Sequence, residues 1–312
     1  MGRRLVSTKD MSREEWLEIR KHSIGGSDAG AICGYNDWCS ALEVYAEKKG
    51  MIPDKETTES MRLGTDLEDY VAQRFSEATG KKVRRTNFMY QHDEHDFITA
   101  NVDREIIGEN AGLECKTMNV FSKYDVADGE IPLQYYCQCQ HYIEVMGYDY
   151  MYIGILVYGK GFYWHIIHRN ESFIQNMLDE EIRFWNENIL TDTPPEPDGS
   201  DSSLDTLNKM YPQDNGSQVW LDNEADITRY QELNQTIKRL EKSRDEIKSR
   251  IYSELRDSSL GGSDKYLVTW KTQSRTTVDS AYLKEHYPQV YEESKKVTSS
   301  RVLRVKERKQ NG

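Results

Sequence analysis

Two carboxylates and an ammonium stand close together in ANVDREIIGENAGLECKT, residues 100–117. Side chains alternate faces along a strand, so Glu114 and Lys116 are expected on one side and Cys115 on the other. Asp103 sits on the preceding extended segment, and the turn chemistry of GENAG (108–112) lets the two segments pair as a hairpin. Asp103, Glu114 and Lys116 are thereby predicted to converge. Hard divalent cations such as magnesium take carboxylate and carbonyl oxygens and keep several waters, which suits two acids with room for a phosphate. Such an ion polarises a phosphodiester and activates water, while an adjacent lysine offsets charge building on phosphorus. Asp followed by Glu-x-Lys is therefore a phosphodiesterase pattern. The other reading of the same letters is a solvated strand face carrying an ion pair.

The elements around this stretch decide which reading the chain supports. Leu63, Leu67, Val71 and Phe75 repeat at helical spacing over 59–79, closed by Gly80, and place Glu68 at the edge of the apolar stripe. Residues 83–90, 97–107 and 113–117 read as strands, and 131–147 as a helix in which Gln138 and Tyr142, four apart, share a face. Two strands joined through Gly159-Lys-Gly161 and a helix over 171–190 follow. Ahead of them, Ser12 and Glu15 form a capping box, and a short helix is expected over 40–49. Between these lies HSIGGSDAGAICG (22–34), where glycines run into Ser-Asp and an apolar stretch. No Gly-Lys-Ser/Thr follows and no GxGxxG is completed, so a nucleotide loop is excluded and a helix capped by Ser27 is the plain expectation.

The order helix-Glu, strand-Asp, strand-ExK, helix-QxxxY resembles the PD-(D/E)XK nucleases, particularly their RecB-like branch. Adding Arg20 seven residues before Ser27, SIGGSDA, RLGTDLEDYV, NVDREI, LECKT and YYCQCQ, residues 12–190 are similar to the YqaJ-type viral recombinases, relatives of phage lambda exonuclease. The resemblance implies an α/β fold with a PD-(D/E)XK restriction-endonuclease-like core. It implies that Asp103, Glu114 and the Cys115 carbonyl hold Mg2+, with Mn2+ as a substitute, that Lys116 serves the attacking water, and that Glu68 and Gln138 complete the catalytic set. Arg20 and Ser27, with Gly25, Gly26 and Tyr142, would receive the 5' phosphate and DNA. The implied activity is 5'-3' degradation of one strand of linear double-stranded DNA, leaving 3' single strands for a single-strand annealing protein of the RecT or Redβ type. A homo-oligomer, ring-shaped and trimeric, is implied as well. The motif Pro-Asp is here Val102-Asp103, a change expected to touch the turn rather than the metal. Another RecB-like nuclease of different polarity or endonucleolytic action, and a non-catalytic DNA-end-binding scaffold, are the alternatives; joint retention of Glu68, Asp103, Glu114 and Lys116 argues against the scaffold.

Composition narrows the classes further. No apolar run approaches 18 residues and the N-terminus lacks the apolar core of a signal peptide, so a cytoplasmic protein is expected, and the family resemblance implies that it is phage or prophage encoded. The five cysteines form no CxxC and are expected reduced, which argues against zinc and iron–sulfur sites. A net charge of −12 speaks against DNA until clustering is considered: Lys81, Lys82, Arg84 and Arg85 lie together, and 295–309 holds seven Lys/Arg against one Glu. The histidine pairs 92/95 and 165/168 have neither the phase nor the setting of a metal site. The Pro-, Asp- and Ser-rich run TDTPPEPDGSDSS predicts a linker at 193–203 between a core of 1–192 and an accessory module of 204–312. In that module Ile227, Tyr230, Leu233, Ile237, Leu240, Ile247 and Ile251 mark an amphipathic helix over 225–257, expected to break near Arg244 into a hairpin or partner surface.

Overall fold

The computed structural model describes residues 2–307. The chain forms two compact units, residues 1–211 and 212–312. In chain order the first contains β1 (Arg3–Ser7), α1 (Arg13–Lys21), β2 (Ile24–Gly25), α2 (Gly26–Ile32), α3 (Ala41–Lys48), α4 (Glu59–Thr79), β3 (Val83–Arg85), β4 (Phe88–Gln91), β5 (Ile98–Ala100), β6 (Arg104–Ile106), β7 (Ala111–Met118), α5 (Leu133–Met146), β8 (Tyr150–Val157), β9 (Gly161–His168), α6 (Glu171–Phe184) and α7 (Asp201–Met210).

A five-stranded sheet runs β3-β6-β7-β8-β9, antiparallel except for β7 and β8, which are parallel and joined by α5 as their crossover. A four-stranded sheet runs β1-β4-β5-β2, with β2 and β5 parallel. The fold is mixed α/β. Helix α4 starts where Thr58 accepts the Met61 N–H and ends at Gly80, whose φ of +72° is the left-handed cap expected there. Its Ala72 and Phe75 pack on one face of the large sheet with Leu113 and Tyr152. Helix α5 covers the other face: Ile143, Val145 and Met146 share a cluster with Ile98 and Ala100 of the small sheet and with Met151, Ile153 and Ile155 of the large one. The apolar run of β8 is buried on both sides, as a central parallel-paired strand requires.

The segments 83–90 and 97–107, each read as one strand, are each divided between the two sheets, as β3 and β4 and as β5 and β6, and three expectations about the helices and the linker change too. The segment read as one helix over 171–190 is α6 followed by a π-helical turn, Trp185–Ile189, and the Trp185 ring stacks on Phe97 at 4.9 Å. The predicted linker folds back: Ser202 Oγ donates to Glu43 at 2.5 Å and accepts from the Ser40 N–H at 2.9 Å, so the first unit runs on to Tyr211. In the second unit, α8 (Glu224–Leu255) is one unbroken helix of 32 residues, with no hairpin at Arg244. A cation interrupts an apolar stripe, but arginine is a good helix former and does not interrupt the helix. A hairpin of β10 (Leu260–Gly262) and β11 (Leu267–Thr269) follows, with Trp270 stacked on Tyr252 at 4.0 Å, and then α9 (Ser280–His286) and α10 (Pro288–Ser294). Of the basic tail, residues 301–307 carry no regular structure, and Arg308 and Lys309 lie outside the described residues. Among the described residues, no helix is long and apolar enough to cross a membrane.

Candidate active site

β6 pairs with β7 only as far as Arg104 opposite Leu113. Beyond Leu113 that edge of β7 is open, and Asp103, in the bend just before β6, fills it: its Oδ2 accepts the Cys115 N–H at 2.8 Å. A strand residue's N–H and C=O project to the same edge, so the Cys115 carbonyl faces Asp103 as well. The Cys115 side chain packs beneath, toward the α4 side of the sheet.

Glu114 and Lys116 point the other way, toward α5, as their two-residue spacing requires. Glu114 Oε1 accepts from Lys116 Nζ at 2.7 Å and from Gln138 Nε2 at 2.8 Å. Its other oxygen, Oε2, is buried with no hydrogen-bond partner. Gln138 Nε2 also reaches the Tyr142 hydroxyl at 3.1 Å, and Lys116 Nζ lies 5.0 Å from the centre of the Tyr135 ring. Glu114 is only 3% exposed, whereas the Lys116 side chain keeps 21%, so the cluster opens at its lysine.

Burial, then the charges of Glu114 and Glu68, raises the Asp103 carboxyl well above its usual range. Burial likewise raises Glu114, against the pull of Lys116. Lys116 moves up: burial works against its charge, but Glu114 and Asp103 outweigh it. A buried carboxylate with an orphaned oxygen, Glu114, and a half-buried one that it repels, Asp103, beside an outward-facing carbonyl, form an oxygen-only donor set that fits a hard divalent cation. Among the described residues no cluster of three or more His, Cys, Asp or Glu groups is placed to hold a metal, so the fit rests on this two-carboxylate set.

Glu68 stands apart from this hydrogen-bonded cluster. Arg104, nearly buried, donates to Glu68 Oε1 at 2.5 Å and to Asp69 at 2.6 Å, which ties the helix carboxylate to β6. Three of the four cations clustered at 81–85 are neutralised: Lys81 pairs with Glu109, Arg84 with Glu105 and Arg85 with Asp69. The expected basic patch is therefore mostly a set of local ion pairs. His165 bonds the Val126 carbonyl at 2.7 Å, and His92 Nδ1 accepts two backbone N–H groups of its own loop.

The GGSD stretch lies against the same helix. Gly25, not Ser27, caps α2, with its N–H held by Asp28 Oδ2 at 3.1 Å. That frees the Ser27 hydroxyl, which accepts from Arg20 Nη2 at 2.8 Å. Gly26 touches α5: a Cβ there would stand 2.5 Å from Tyr142 Cε1 and 3.1 Å from Gln138 Cγ. Tyr142, expected to face DNA, is 5% exposed and instead forms the bearing surface between α2 and Gln138. Arg20 also donates to Asp28 Oδ1 at 2.6 Å and lies 4.7 Å from the Trp16 ring. Asp28 and its second cation, Lys48, had no role in the sequence reading. The position of Asp28, three residues after the Gly25 cap, was the available signal; Lys48 offered none.

An aspartate in the bend before one strand and a glutamate and a lysine on the next strand of a mixed sheet, braced by a glutamine from the crossover helix, define a PD-(D/E)XK-type core. The family model described as YqaJ-like viral recombinase domain matches residues 15–149. The chain is 38% identical over 309 residues, 97% of each chain, to "Uncharacterized protein YqaJ" of Bacillus subtilis (strain 168). The chain belongs to the YqaJ-like viral recombinase family. Among solved structures, it is similar to an alkaline exonuclease from Laribacter hongkongensis (18% identity, 57% of this chain and 93% of that one, TM-score 0.48). It is also similar to a phage-related exonuclease from Haemophilus somnus 129PT (14% identity, 54% and 96%, TM-score 0.43).

Proposed function

We propose that this chain is a magnesium-dependent deoxyribonuclease that degrades one strand of linear double-stranded DNA from its 5' end. The observation that carries the proposal is the joining of Asp103, the Cys115 backbone, Glu114, Lys116 and Gln138 into one part-buried, oxygen-rich cluster. Asp103, Glu114 and the Cys115 carbonyl would hold the cation, with Mn2+ as a substitute. When bound, it supplies Lewis-acid activation of the phosphodiester and lowers the pKa of water.

The chain's own residues do the rest. Gln138 fixes Glu114 Oε1, so that the orphaned Oε2 is the oxygen left to act. Lys116 stays charged and reaches solvent at the mouth of the cluster, where an ammonium orients an attacking water and offsets the negative charge gathering on phosphorus. Arg20 and Ser27 meet next to Gly26, where α2 touches α5, and form a paired donor and hydroxyl suited to a terminal phosphate. Glu68 holds Arg104 and adds negative charge near the acids. The resulting 3' single strands would pass to a single-strand annealing protein, and a ring of three copies would keep the duplex threaded.

Linear duplex labelled at either end, with and without 5' phosphate, in magnesium or in EDTA, tests the proposal. The expected outcome is label loss from 5' ends in magnesium and none in EDTA. Loss from 3' ends alone, or internal cuts in circular DNA, would reject the polarity, and cleavage in EDTA would reject the metal.

A further inference from the structure

Arg20 does not stand alone beside Ser27; it is the part-exposed arm of a charge network that joins three helices. Asp28 on α2 spends one carboxylate oxygen on Arg20 of α1 at 2.6 Å and the other on Lys48 of α3 at 2.9 Å. The Lys48 side chain is 4% exposed and also donates to the backbone carbonyls of Arg20, at 3.1 Å, and of Ser23. All three hydrogens of its ammonium are thus committed, one of them to the main chain of Arg20 itself. Burial pushes the Asp28 carboxyl up, but Arg20 and Lys48 together bring it well below the usual carboxylate range, so it is ionised at neutral pH.

An anion beside the arginine that must receive another anion is a liability. Unbalanced, Asp28 would repel a phosphate and compete with it for the guanidinium. Lys48 cancels that charge, leaving the Arg20–Asp28–Lys48 group with one net positive charge while keeping the guanidinium turned to Ser27. We infer that Lys48, acting through Asp28 and through the Arg20 main chain, is a positioning residue that sets the preference for 5'-phosphorylated over 5'-hydroxyl ends. This rests on the reading of Arg20 and Ser27 as the phosphate receiver.

The test compares the full chain with Arg20→Ala, Lys48→Met and the double variant Asp28→Asn/Lys48→Met. Each is measured for the ratio of kcat/KM on 5'-phosphorylated to 5'-hydroxyl linear duplex, and for binding of the same two duplexes in EDTA. Removing Lys48 alone is expected to cut the ratio by about tenfold or more, the size of one charge-assisted hydrogen bond, through KM rather than kcat. The double variant is expected to recover part of the ratio, because the uncompensated anion has gone too. A structural role for Lys48 would lower the rates on both ends together and make the double variant worse than the single one. The double variant removes both charges of the Asp28–Lys48 pair and leaves the Arg20 guanidinium, which is partly exposed and keeps its Ser27 contact, as the remaining charge, so it can be read even where the single variant does not fold: a ratio equal to the parent's overturns the inference. If Arg20→Ala collapses the ratio while Lys48→Met keeps it, only the role of Lys48 falls. If Arg20→Ala keeps the parent's ratio, the phosphate reading falls and the inference with it.

Discussion

Adjacent glycines give the sharpest test of how the site is built. Gly25 has an ordinary extended backbone, φ −101°, and a Cβ added there meets only Asp28 Oδ2, at 3.9 Å. Gly26 is different: its Cβ would stand 2.5 and 2.8 Å from two ring carbons of Tyr142 and 3.1 Å from Gln138 Cγ. Carbon contacts settle near 3.5–4.0 Å, so an alanine must displace the ring or the helix by about 1 Å. The ring has little room to yield, being buried and hydrogen-bonded through its hydroxyl to Gln138. Overpacking of this kind costs about 1–3 kcal/mol. For a unit of this size that corresponds to a fall in Tm of roughly 2–4 °C per kcal/mol. Gln138 moves with the ring and loosens its hold on Glu114; misplacing a reacting group by about 1 Å costs on the order of a hundredfold in rate. Gly26→Ala is therefore expected to melt several degrees early and to cleave about a hundredfold more slowly, while Gly25→Ala stays close to the parent in both. Thermal denaturation and exonuclease rates on one linear duplex, run on both variants, give the comparison. Equal behaviour of the two alanines would refute the claim that the α2–α5 contact positions the cluster.

Other outcomes follow from the same geometry. Lys116→Ala is expected to lower cleavage by about a thousandfold, the scale of losing a preorganised electrostatic group, while DNA affinity in EDTA stays within a few-fold; unimpaired cutting would remove Lys116 from the mechanism. His141, nearly buried, has Nδ1 2.7 Å from Glu181 Oε1 and Nε2 2.9 Å from the Thr99 carbonyl, so both ring nitrogens face acceptors. Burial lowers its pKa, but the Glu181 carboxylate and the Thr99 carbonyl outweigh it and raise it above the ordinary 6.5. A raised pKa gives stability that is complete below the unfolded value and is lost as pH rises through the folded one, so Tm should fall as pH climbs above about 6.5. His141→Gln should cost about 3 kcal/mol at pH 6 and flatten that slope; a wild-type Tm that rises over the same range would contradict the doubly donating imidazolium.

Local rules made much of the site readable before any fold was known. The period of a strand sends Glu114 and Lys116 to one face, and the period of a helix puts Gln138 and Tyr142 on another, so both halves of the cluster were written in short spacings. What stayed hidden depends on closure between distant segments. Lys48 and Asp28 are 20 residues apart and look like ordinary surface charges in AEKKG and GGSD, yet meet inside the protein. β2 is two residues long and exists because β5 offers it a parallel partner, which nothing in SIGG announces. Composition misled at TDTPPEPDGSDSS, where loop-forming residues still let Ser202 return to Ser40 and Glu43. It misled again at Lys81–Arg85, whose cations face acids brought from α4, β6 and the turn after it.

Gly26 also has a consequence for length. Ser27 of the proposed phosphate-receiving pair and Gln138 of the proposed hydrolytic cluster sit on α2 and α5, two helices in direct contact at Gly26. On the proposed reading, the distance from a strand's terminus to the bond that is cut becomes a constant of the protein, as the gap between the jaws of a caliper is a constant of its frame. Product size would then be set by that frame, independent of base sequence, and a chain that altered it would have to reshape α2 and α5 together.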